Sequence, residues 1–217
     1  MDDRITMTVF TDPMMGLSYE SEPIIEHLQR QYGDKFSLRY VMSVLVRDVS
    51  DFMTPEERAM GPEEGVSRYC ERLAKIYKSE ESVGGLPVNM EGFRLFDTRH
   101  RTSKPLCLAY KAAQLAAPDR ADDFLTALKH ATVLECRPTT HFDEILNVAC
   151  RVGIDEGAFT ECYRGKAESA LAADLALARR LGVYSLPSYL ICRCDRAVIM
   201  RSFDYRDFEN AIEKLDR

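Results

Sequence analysis

The pattern of apolar and polar positions changes period along the chain. Residues 5–10 alternate β-branched and other apolar side chains and stop at a Thr-Asp-Pro turn, which predicts a first strand. Residues 18–33 follow the period of a helix, with apolar residues on one face and Gly33 at the end. Residues 37–46 are too apolar for an exposed sheet edge, so we expect an interior strand there. The chain therefore begins strand, helix, strand, and a right-handed crossover would make these two strands parallel.

The middle of the chain is predicted to be helical for more than a hundred residues. Thr54-Pro55-Glu56-Glu57 combines an N-cap, a proline in the first turn and a carboxylate at the third helical position. This pattern predicts a helix that reaches about residue 77 and a break at residues 82–92. Asp143 completes a similar capping pattern in a later helix. Proline and glycine separate the remaining helices, which we place at residues 103–116, 119–131, 140–152, 155–164 and 166–181.

The last quarter of the chain returns to strands. Residues 188–192 and 197–203 are predicted strands joined by a turn, and residues 205–215 are a closing helix. The complete order is β-α-β, a helical insertion, and then α-β-β-α. No internal repeat or low-complexity segment interrupts this order.

Composition narrows the class of protein. The 217 residues are 46% hydrophobic and 29% charged, which is ordinary for one globular domain, or one with an insertion, whose core needs no metal or disulfide. The net charge is −6 and no long basic run occurs, which argues against a nucleic-acid partner. The start Met1-Asp2-Asp3 is acidic, and the apolar stretch after it is too short for a signal peptide or a membrane span. We therefore expect a cytoplasmic protein with no membrane partner, and the oligomeric state stays open.

The cysteines and histidines predict no metal site. Seven scattered cysteines without a Cys-x-x-Cys pair are interpreted as reduced thiols, and not as disulfides or a zinc ribbon. Cys192 and Cys194 share a face of a predicted strand, but two further ligands are lacking. Adjacent acids such as Glu80 and Glu81 point about 100° apart on a helix and are interpreted as solvated. Four histidines without metal-ligand spacing are interpreted as surface residues or residues near helix starts: His27, His100, His130 and His141.

Three short segments carry a resemblance to a known family. Asp12-Pro13-Met14-Met15-Gly16-Leu17-Ser18 stands where the family has Asp-Pro-x-Cys-x-x-Cys. Thr102-Ser103-Lys104-Pro105-Leu106-Cys107 resembles the start of an inserted helix, and Gly182-Val183-Tyr184-Ser185-Leu186-Pro187-Ser188 resembles the stretch that carries the family's cis-proline. The chain is thus similar to the DsbA-like family of the thioredoxin superfamily, in its cytoplasmic, dithiol-disulfide isomerase-like branch.

The resemblance implies a fold class and a domain arrangement. The fold class is α/β, a thioredoxin fold with an all-helical domain inserted after the second strand. Residues 1–47 and 166–217 would form the thioredoxin-like domain, and residues 48–165 the inserted helical domain. The family consists of dithiol-disulfide oxidoreductases and isomerases.

The chain departs from this family at the redox motif. In the family the first cysteine lies at the amino terminus of the first helix, where the helix dipole lowers the pKa of the thiol. Here Met15 and Ser18 replace the two cysteines of the motif Met15-Gly16-Leu17-Ser18. A thioether cannot attack a disulfide, so we expect dithiol-disulfide exchange through this motif to be abolished. Met15 is then either a hydrophobic plug over a former active site or a soft contact for a ligand.

Two residues are candidates for a remaining catalytic role. Ser18 either caps the first helix or, as in the related kappa-class glutathione transferases and 2-hydroxychromene-2-carboxylate isomerases, helps to activate bound glutathione. In those relatives the serine occupies the first motif position, which is Met15 here. Cys107 is either a small apolar residue on a helix face or the thiol of a one-cysteine active site. Whether the protein is an enzyme is therefore left open.

The loop at Leu186 and Pro187 is the predicted binding site. The resemblance implies a cis bond before Pro187, which leaves the backbone of Leu186 free to pair with an extended peptide or a small thiol compound. This binding does not need the motif cysteines. We therefore expect a redox-inactive protein that binds such a ligand and has no resident cofactor. Glutathione is the one candidate cofactor. The alternatives are a glutathione-dependent transferase or isomerase that uses Ser18, and a monothiol oxidoreductase that uses Cys107.

Overall fold

The computed structural model describes residues 4–215. Met1, Asp2 and Asp3, on which the expectation about the amino terminus rests, lie outside the described residues, as do positions 216 and 217 of the predicted thioredoxin-like range. The described strands form one sheet in the order β2-β1-β3-β4. They are β1 (Ile5–Thr11), β2 (Phe36–Met42), β3 (Ser188–Arg193) and β4 (Arg196–Met200).

Helices connect these strands in the predicted order. Two follow β1, a series of helices fills the insertion, one precedes β3 and one closes the described part of the chain. They are α1 (Gly16–Glu20), α2 (Glu22–Tyr32), α3 (Pro55–Ala59), α4 (Pro62–Gly84), α5 (Lys104–Ala116), α6 (Ala121–Val133), α7 (Phe142–Arg151), α8 (Glu156–Arg164), α9 (Ala167–Arg180) and α10 (Tyr205–Leu215). In residues 4–215, each helix is too short or too polar to cross a bilayer.

Strand β2 corrects the expectation of an interior strand. It pairs in parallel with β1, from Ile5 opposite Phe36 to Thr11 opposite Met42, but it has no second neighbour in the described sheet and forms its edge. The strand also ends at Met42, four residues earlier than predicted. The apolar residues that follow it belong to a loop, and they are apolar because that loop contacts the helical insertion and the candidate site. Burial came from helices and loops that cover the strand, so hydrophobicity alone did not distinguish an edge from an interior strand.

The two faces of the sheet are covered by different helices. On one face, Ile25 and Leu28 of α2 and Phe208 of α10 join the main hydrophobic core, and the rings of Phe208 and Tyr189 meet edge to face at 4.9 Å. On the other face, Phe10 packs in a smaller cluster with the carboxyl-terminal part of α9. The loop after α9 therefore lies beside the carboxyl end of β1, where the motif begins.

Three details of the helical insertion differ from the prediction. The helix predicted to start at Thr54 has the expected capping box with Glu57, but it stops after five residues. Gly61 adopts a positive φ of 89°, and a second helix, α4, starts at Pro62 and ends at Gly84, three residues into the break predicted at 82–92. Asp143 does not complete a capping box, since His141 is the N-cap of α7 and makes no side-chain capping bond.

The insertion is joined to the sheet by a shared core and by buried ion pairs. One cluster of buried apolar residues runs from β1 into α4, α5 and α6. Lys111 of α5 pairs with Asp174 of α9 at 2.9 Å, and Lys129 of α6 pairs with Glu22 of α2 at 2.9 Å. Asp174 also accepts a hydrogen bond from the backbone of Met42 at 2.8 Å. The boundaries of 48–165 for an inserted domain stay a prediction.

Candidate functional site at the motif and the proline loop

The motif forms the turn between β1 and α1. Met15 is the N-cap of α1 in extended conformation, makes no side-chain capping bond and is buried. Ser18 lies inside α1, so the expectation that it caps this helix is wrong. Ser18 is 2% exposed, and its hydroxyl forms a hydrogen bond with the Thr11 hydroxyl. A hydroxyl held in the interior beside another hydroxyl has no base to activate it, which argues against catalysis by Ser18.

Asp12 is the buried acid that organises this turn. One carboxylate oxygen accepts a hydrogen bond from the Met14 amide at 3.1 Å, and the other accepts from the Leu45 amide at 2.8 Å and from the Ser103 hydroxyl. Burial raises the pKa of Asp12 to about 6, and the Ser103 hydrogen bond works in the opposite direction. The three donors come from the motif, the loop after β2 and the start of α5. Asp12 therefore fixes the motif against both neighbouring segments.

Cys107 lies behind this network and not in a cavity. The side chain has no exposed surface, and its thiol lies near the Asp12 carboxyl group. Burial, together with the negative charge of Asp12, raises the pKa of the Cys107 thiol well above its usual value. A thiol that stays protonated and inaccessible cannot attack a disulfide. The structure thus favours the interpretation of Cys107 as a small apolar residue of α5 over a one-cysteine active site.

A small apolar cavity lies beside Met15. Its volume is about 150 Å³, and residues of the motif and of α4 line it. The apolar walls include Met15, Leu45 and Phe52, and Glu80 contributes the carboxylate in the lining. Met15 is one of the residues that line this cavity, and its interpretation as a plug or as a soft contact for a ligand stays a prediction.

The contact between α1 and α4 is made by two reciprocal pairs of glycine and glutamate. A Cβ atom on Gly16 would lie 2.0 Å from a carboxylate oxygen of Glu80, and one on Gly84 would lie 2.0 Å from the backbone oxygen of Glu20. Glu20 also accepts hydrogen bonds from the amides of Gly84 and Leu86, both at 3.1 Å. The two helices approach this closely because neither glycine has a side chain.

Glu80 corrects the expectation that its acid pair is solvated. One of its carboxylate oxygens is buried and has no hydrogen-bond partner within residues 4–215. Burial, followed by the nearby charge of Glu20, raises the pKa of Glu80 to about 7, while a hydrogen bond from Leu17 lowers it. Adjacent acids on a helix point in different directions, so one of the pair faces the motif and the other faces solvent.

A larger open groove runs beside the proline loop. It has a volume of about 950 Å³ and lies between the loop after β2 and the segment that joins α9 to β3. Leu45 and Phe52 line both this groove and the cavity beside Met15, so the two spaces adjoin. Tyr184 is 86% exposed at the rim, and Leu186 lies in the wall.

The peptide bond between Leu186 and Pro187 is cis. Pro187 is buried, whereas Leu186 is half-buried and faces the groove. Among residues 4–215, the backbone amide and carbonyl of Leu186 make no hydrogen bond to the protein. The loop therefore offers one donor and one acceptor of the main chain to a ligand in the groove.

The charged residues of the groove were missed by the sequence analysis. Three arginines line it, Arg47, Arg179 and Arg201, with Asp51 as the acid in the same lining. All four side chains are exposed, and in the part of the chain that the structure describes none of the arginines has an ion-pair partner. The three arginines lie in separate segments of the chain, so no run of basic residues in the sequence indicates a charged groove. The groove is positively charged although the chain as a whole carries a net charge of −6.

The cysteine pair needs a correction, and two of the histidines lie together. Cys194 is not on a strand with Cys192 but in the turn after β3, at a positive φ of 54°, and neither of the two is part of a disulfide. His100 and His141, interpreted as surface residues or residues near helix starts, stack on each other and both face the carboxylate of Asp97. His141 follows His100 by 41 positions, so no local spacing could show this cluster.

This fold defines a thioredoxin-fold protein with a helical insertion. The family model described as Thioredoxin matches residues 8–199, and the chain belongs to that family. Among solved structures, the cytosolic disulfide reductase DsbM from Pseudomonas aeruginosa matches with a TM-score of 0.70 and 17% identity, covering 97% of this chain and 99% of that one. The same protein with GSH matches with a TM-score of 0.67 and 18% identity, covering 97% of this chain and 100% of that one.

Two curated relatives are adapter proteins. The chain is 26% identical over 182 residues to the ClpXP adapter protein SpxH of Halalkalibacterium halodurans, which is 83% of this chain and 56% of the relative. It is 23% identical over 183 residues to the ClpXP adapter protein SpxH of Bacillus subtilis, again 83% of this chain and 56% of the relative. The chain thus spans about half the length of the curated relatives it matches.

Proposed function

We propose that this protein is redox-inactive at its motif and binds an extended, acidic segment of another protein in the groove beside Pro187. The observation that carries the proposal is the open groove, which presents unpaired main-chain groups and three unpaired arginines next to a motif without an ionisable sulfur. We place this activity in the cytoplasm.

The motif side of the site lacks a nucleophile. The thioether of Met15 cannot form a thiolate, and Ser18 is hydrogen bonded in the interior. Cys107, the cysteine that contacts this network, is fully buried and protonated. Disulfide exchange needs an accessible thiolate, so the arrangement supports binding without turnover.

The proline-loop side of the site suits an extended chain. Leu186 offers its free amide and carbonyl, which is the pairing that an added strand needs. Leu45, Phe52 and Leu175 supply apolar walls on which alternate side chains of a peptide can rest. Phe52 is 43% exposed, so its ring is accessible to a ligand.

The charge of the groove favours an acidic ligand. Arginine binds carboxylates in a bidentate manner, and Arg47, Arg179 and Arg201 have no carboxylate partner within residues 4–215. Asp51 offsets one of these three charges. The relatives named SpxH are ClpXP adapter proteins, which supports a protein as the partner here.

Peptide binding can be measured by fluorescence polarisation. Labelled extended peptides rich in Asp and Glu are compared with peptides of the same apolar residues in which Lys replaces the acids. We expect the acidic set to bind and the basic set not to bind. The triple variant Arg47→Gln, Arg179→Gln, Arg201→Gln should weaken binding about tenfold, as expected for three partly exposed ion pairs. Arg180→Gln, an exposed neighbour on α9 outside the groove, is the matched control and should bind as the wild type does.

The same samples test the competing functions. The wild type should not reduce insulin, and reduction that disappears in Cys107→Ala would establish the monothiol alternative instead. Glutathione at millimolar concentration should not raise the melting temperature, because we propose a peptide as the ligand. If glutathione stabilises the protein and no peptide of either charge binds, a small thiol compound replaces the peptide as the ligand.

A further inference from the structure

Asp97, His100 and His141 form a compact group outside the groove. Asp97 and His100 lie in the loop before α5, and His141 is the N-cap of α7. Nδ1 of His100 lies 2.9 Å from Oδ2 of Asp97, and Nε2 of His141 lies 2.9 Å from the same oxygen. The two imidazole rings stack with their centroids 3.6 Å apart and 24° between their planes. Three candidate ligand atoms, one from each residue, therefore converge within 4.8 Å of one another.

The separations of these atoms suit a metal ion. Imidazole nitrogens and carboxylate oxygens bind zinc at about 2.0–2.2 Å, which places neighbouring ligand atoms about 2.8–3.1 Å apart in octahedral geometry and about 3.3–3.6 Å apart in tetrahedral geometry. The two separations of 2.9 Å from Oδ2 fall in the octahedral range. Two imidazoles and one carboxylate are also the donor types that first-row divalent transition metals prefer.

The carboxylate of Asp97 is held in place by its other oxygen. Oδ1 accepts hydrogen bonds from the backbone amides of Arg99 at 2.7 Å and His100 at 2.8 Å. This leaves Oδ2 directed at the two rings. The hydroxyl of Thr140 donates to the carbonyl of Leu95, which ties the segment of His141 to the segment of Asp97. Partners that orient ligands in this way are typical of metal sites.

The group is accessible from solvent. The side chains of His100 and His141 are each 34% exposed, and that of Asp97 is 44% exposed. An ion can therefore enter without unfolding, and water can complete its coordination. Without a metal, each ring donates an N–H to Oδ2; with a metal, each ring moves its proton to the far nitrogen and presents a lone pair instead. Both states need the same ring positions.

We propose that Asp97, His100 and His141 form a binding site for a divalent transition metal ion, with at least one coordination position left to water. The ion converts a site of charge −1 into one of charge +1. It also fixes the loop before α5 to the start of α7. The site is separate from the groove, so the proposal does not depend on the proposed peptide ligand.

Cobalt is a direct probe because its absorption spectrum reports the ligands. Chelator-treated protein is titrated with Co²⁺ and followed by absorption and calorimetry, and Zn²⁺ is then added as a competitor. We expect one equivalent of Co²⁺ to give visible d–d bands without a thiolate-to-cobalt charge-transfer band, and Zn²⁺ to displace it. Both His100→Gln and His141→Gln should weaken binding at least about tenfold. His27→Gln, an exposed histidine on α2, is the control and should bind as the wild type does.

Other outcomes overturn the proposal. A charge-transfer band would assign the ion to cysteine, and affinity unchanged in both histidine variants would place the ion elsewhere. Absence of saturable binding at millimolar Co²⁺ in the wild type would show that the group is only a hydrogen-bonded cluster. Thermal melting of both variants without metal checks that they fold, and added Zn²⁺ should raise the melting temperature of the wild type alone.

Discussion

Single residues at the turn after β1 hold the motif by hydrogen bonds. Family members carry two cysteines at this point, and here Met15 and Ser18 face the interior. Asp12 is the residue on which the turn depends, since three donors from three segments meet its carboxylate. The substitutions at the motif were visible in the sequence. The dependence on Asp12 was not, because Leu45 and Ser103 are 33 and 91 positions away from it.

We expect Asp12→Ala to destabilise the protein by about 2–4 kcal/mol. The substitution leaves the buried amides of Met14 and Leu45 without acceptors, and each unsatisfied buried group costs about 1–3 kcal/mol. Urea denaturation gives the change in the free energy of unfolding. Asp195→Ala, an exposed aspartate in the turn between β3 and β4, should change it by less than about 0.5 kcal/mol. A loss below about 1 kcal/mol in Asp12→Ala would contradict the role assigned to this carboxylate.

At the scale of elements, the contact between α1 and α4 places the carboxylate of Glu80 in a partly buried position beside the motif. Glu80 approaches Gly16 closely and has one buried oxygen without a partner. Its pKa is raised to about 7, so the folded state binds a proton that the unfolded state releases at lower pH. The stabilisation from this proton is fully present below about pH 4.5 and is lost as the pH rises through about 7.

The variant Glu80→Gln tests this pH dependence. The free energy of unfolding of the wild type should fall relative to that of Glu80→Gln as the pH rises from about 5 to about 8. Comparing the two proteins at each pH removes the contribution of Asp12, which both retain. Glu64→Gln, at an exposed position of the same helix, should follow the wild type. A constant difference between wild type and Glu80→Gln over this range would show that Glu80 has an ordinary pKa.

The elements themselves were predictable to different degrees. The capping box at Thr54 and the glycine after α9 act locally, and the structure has a helix start and a helix end where these signals predict them. The break at Gly61 was missed although Gly61-Pro62 is a local break signal, with the proline in the first turn of α4. The edge position of β2 was missed because α9 and the insertion bury its second half. Local signals predicted the order of the elements, and tertiary contacts determined their ends.

At the scale of the whole molecule, the insertion and the sheet form one packed body. Helices α5 and α9 are joined by two lysine–acid pairs of different burial. Lys111 and Asp174 are buried, with side chains 11% and 5% exposed. Lys104 and Glu168 join the same helices on the surface, with side chains 43% and 61% exposed. The same two helices are thus joined by one buried and one exposed ion pair, whose contributions to stability can be compared.

We expect Lys111→Met to cost about 3–5 kcal/mol, because it leaves the buried charge of Asp174 without its partner. Lys104→Met should cost less than about 1 kcal/mol, because water screens the exposed pair. Both values come from urea denaturation at neutral pH. Equal effects of the two substitutions would show that the buried pair does not join the insertion to the sheet.

The reciprocal contact of Gly16 with Glu80 and of Gly84 with Glu20 restricts how this scaffold can be redesigned. A methyl group added at Gly16 would displace the end of the Glu80 side chain, whereas one added at Gly84 would meet the backbone oxygen of Glu20 and force α1 and α4 apart. Any redesign of the turn therefore tolerates a side chain at position 16 only if Glu80 moves, and it has to retain Gly84.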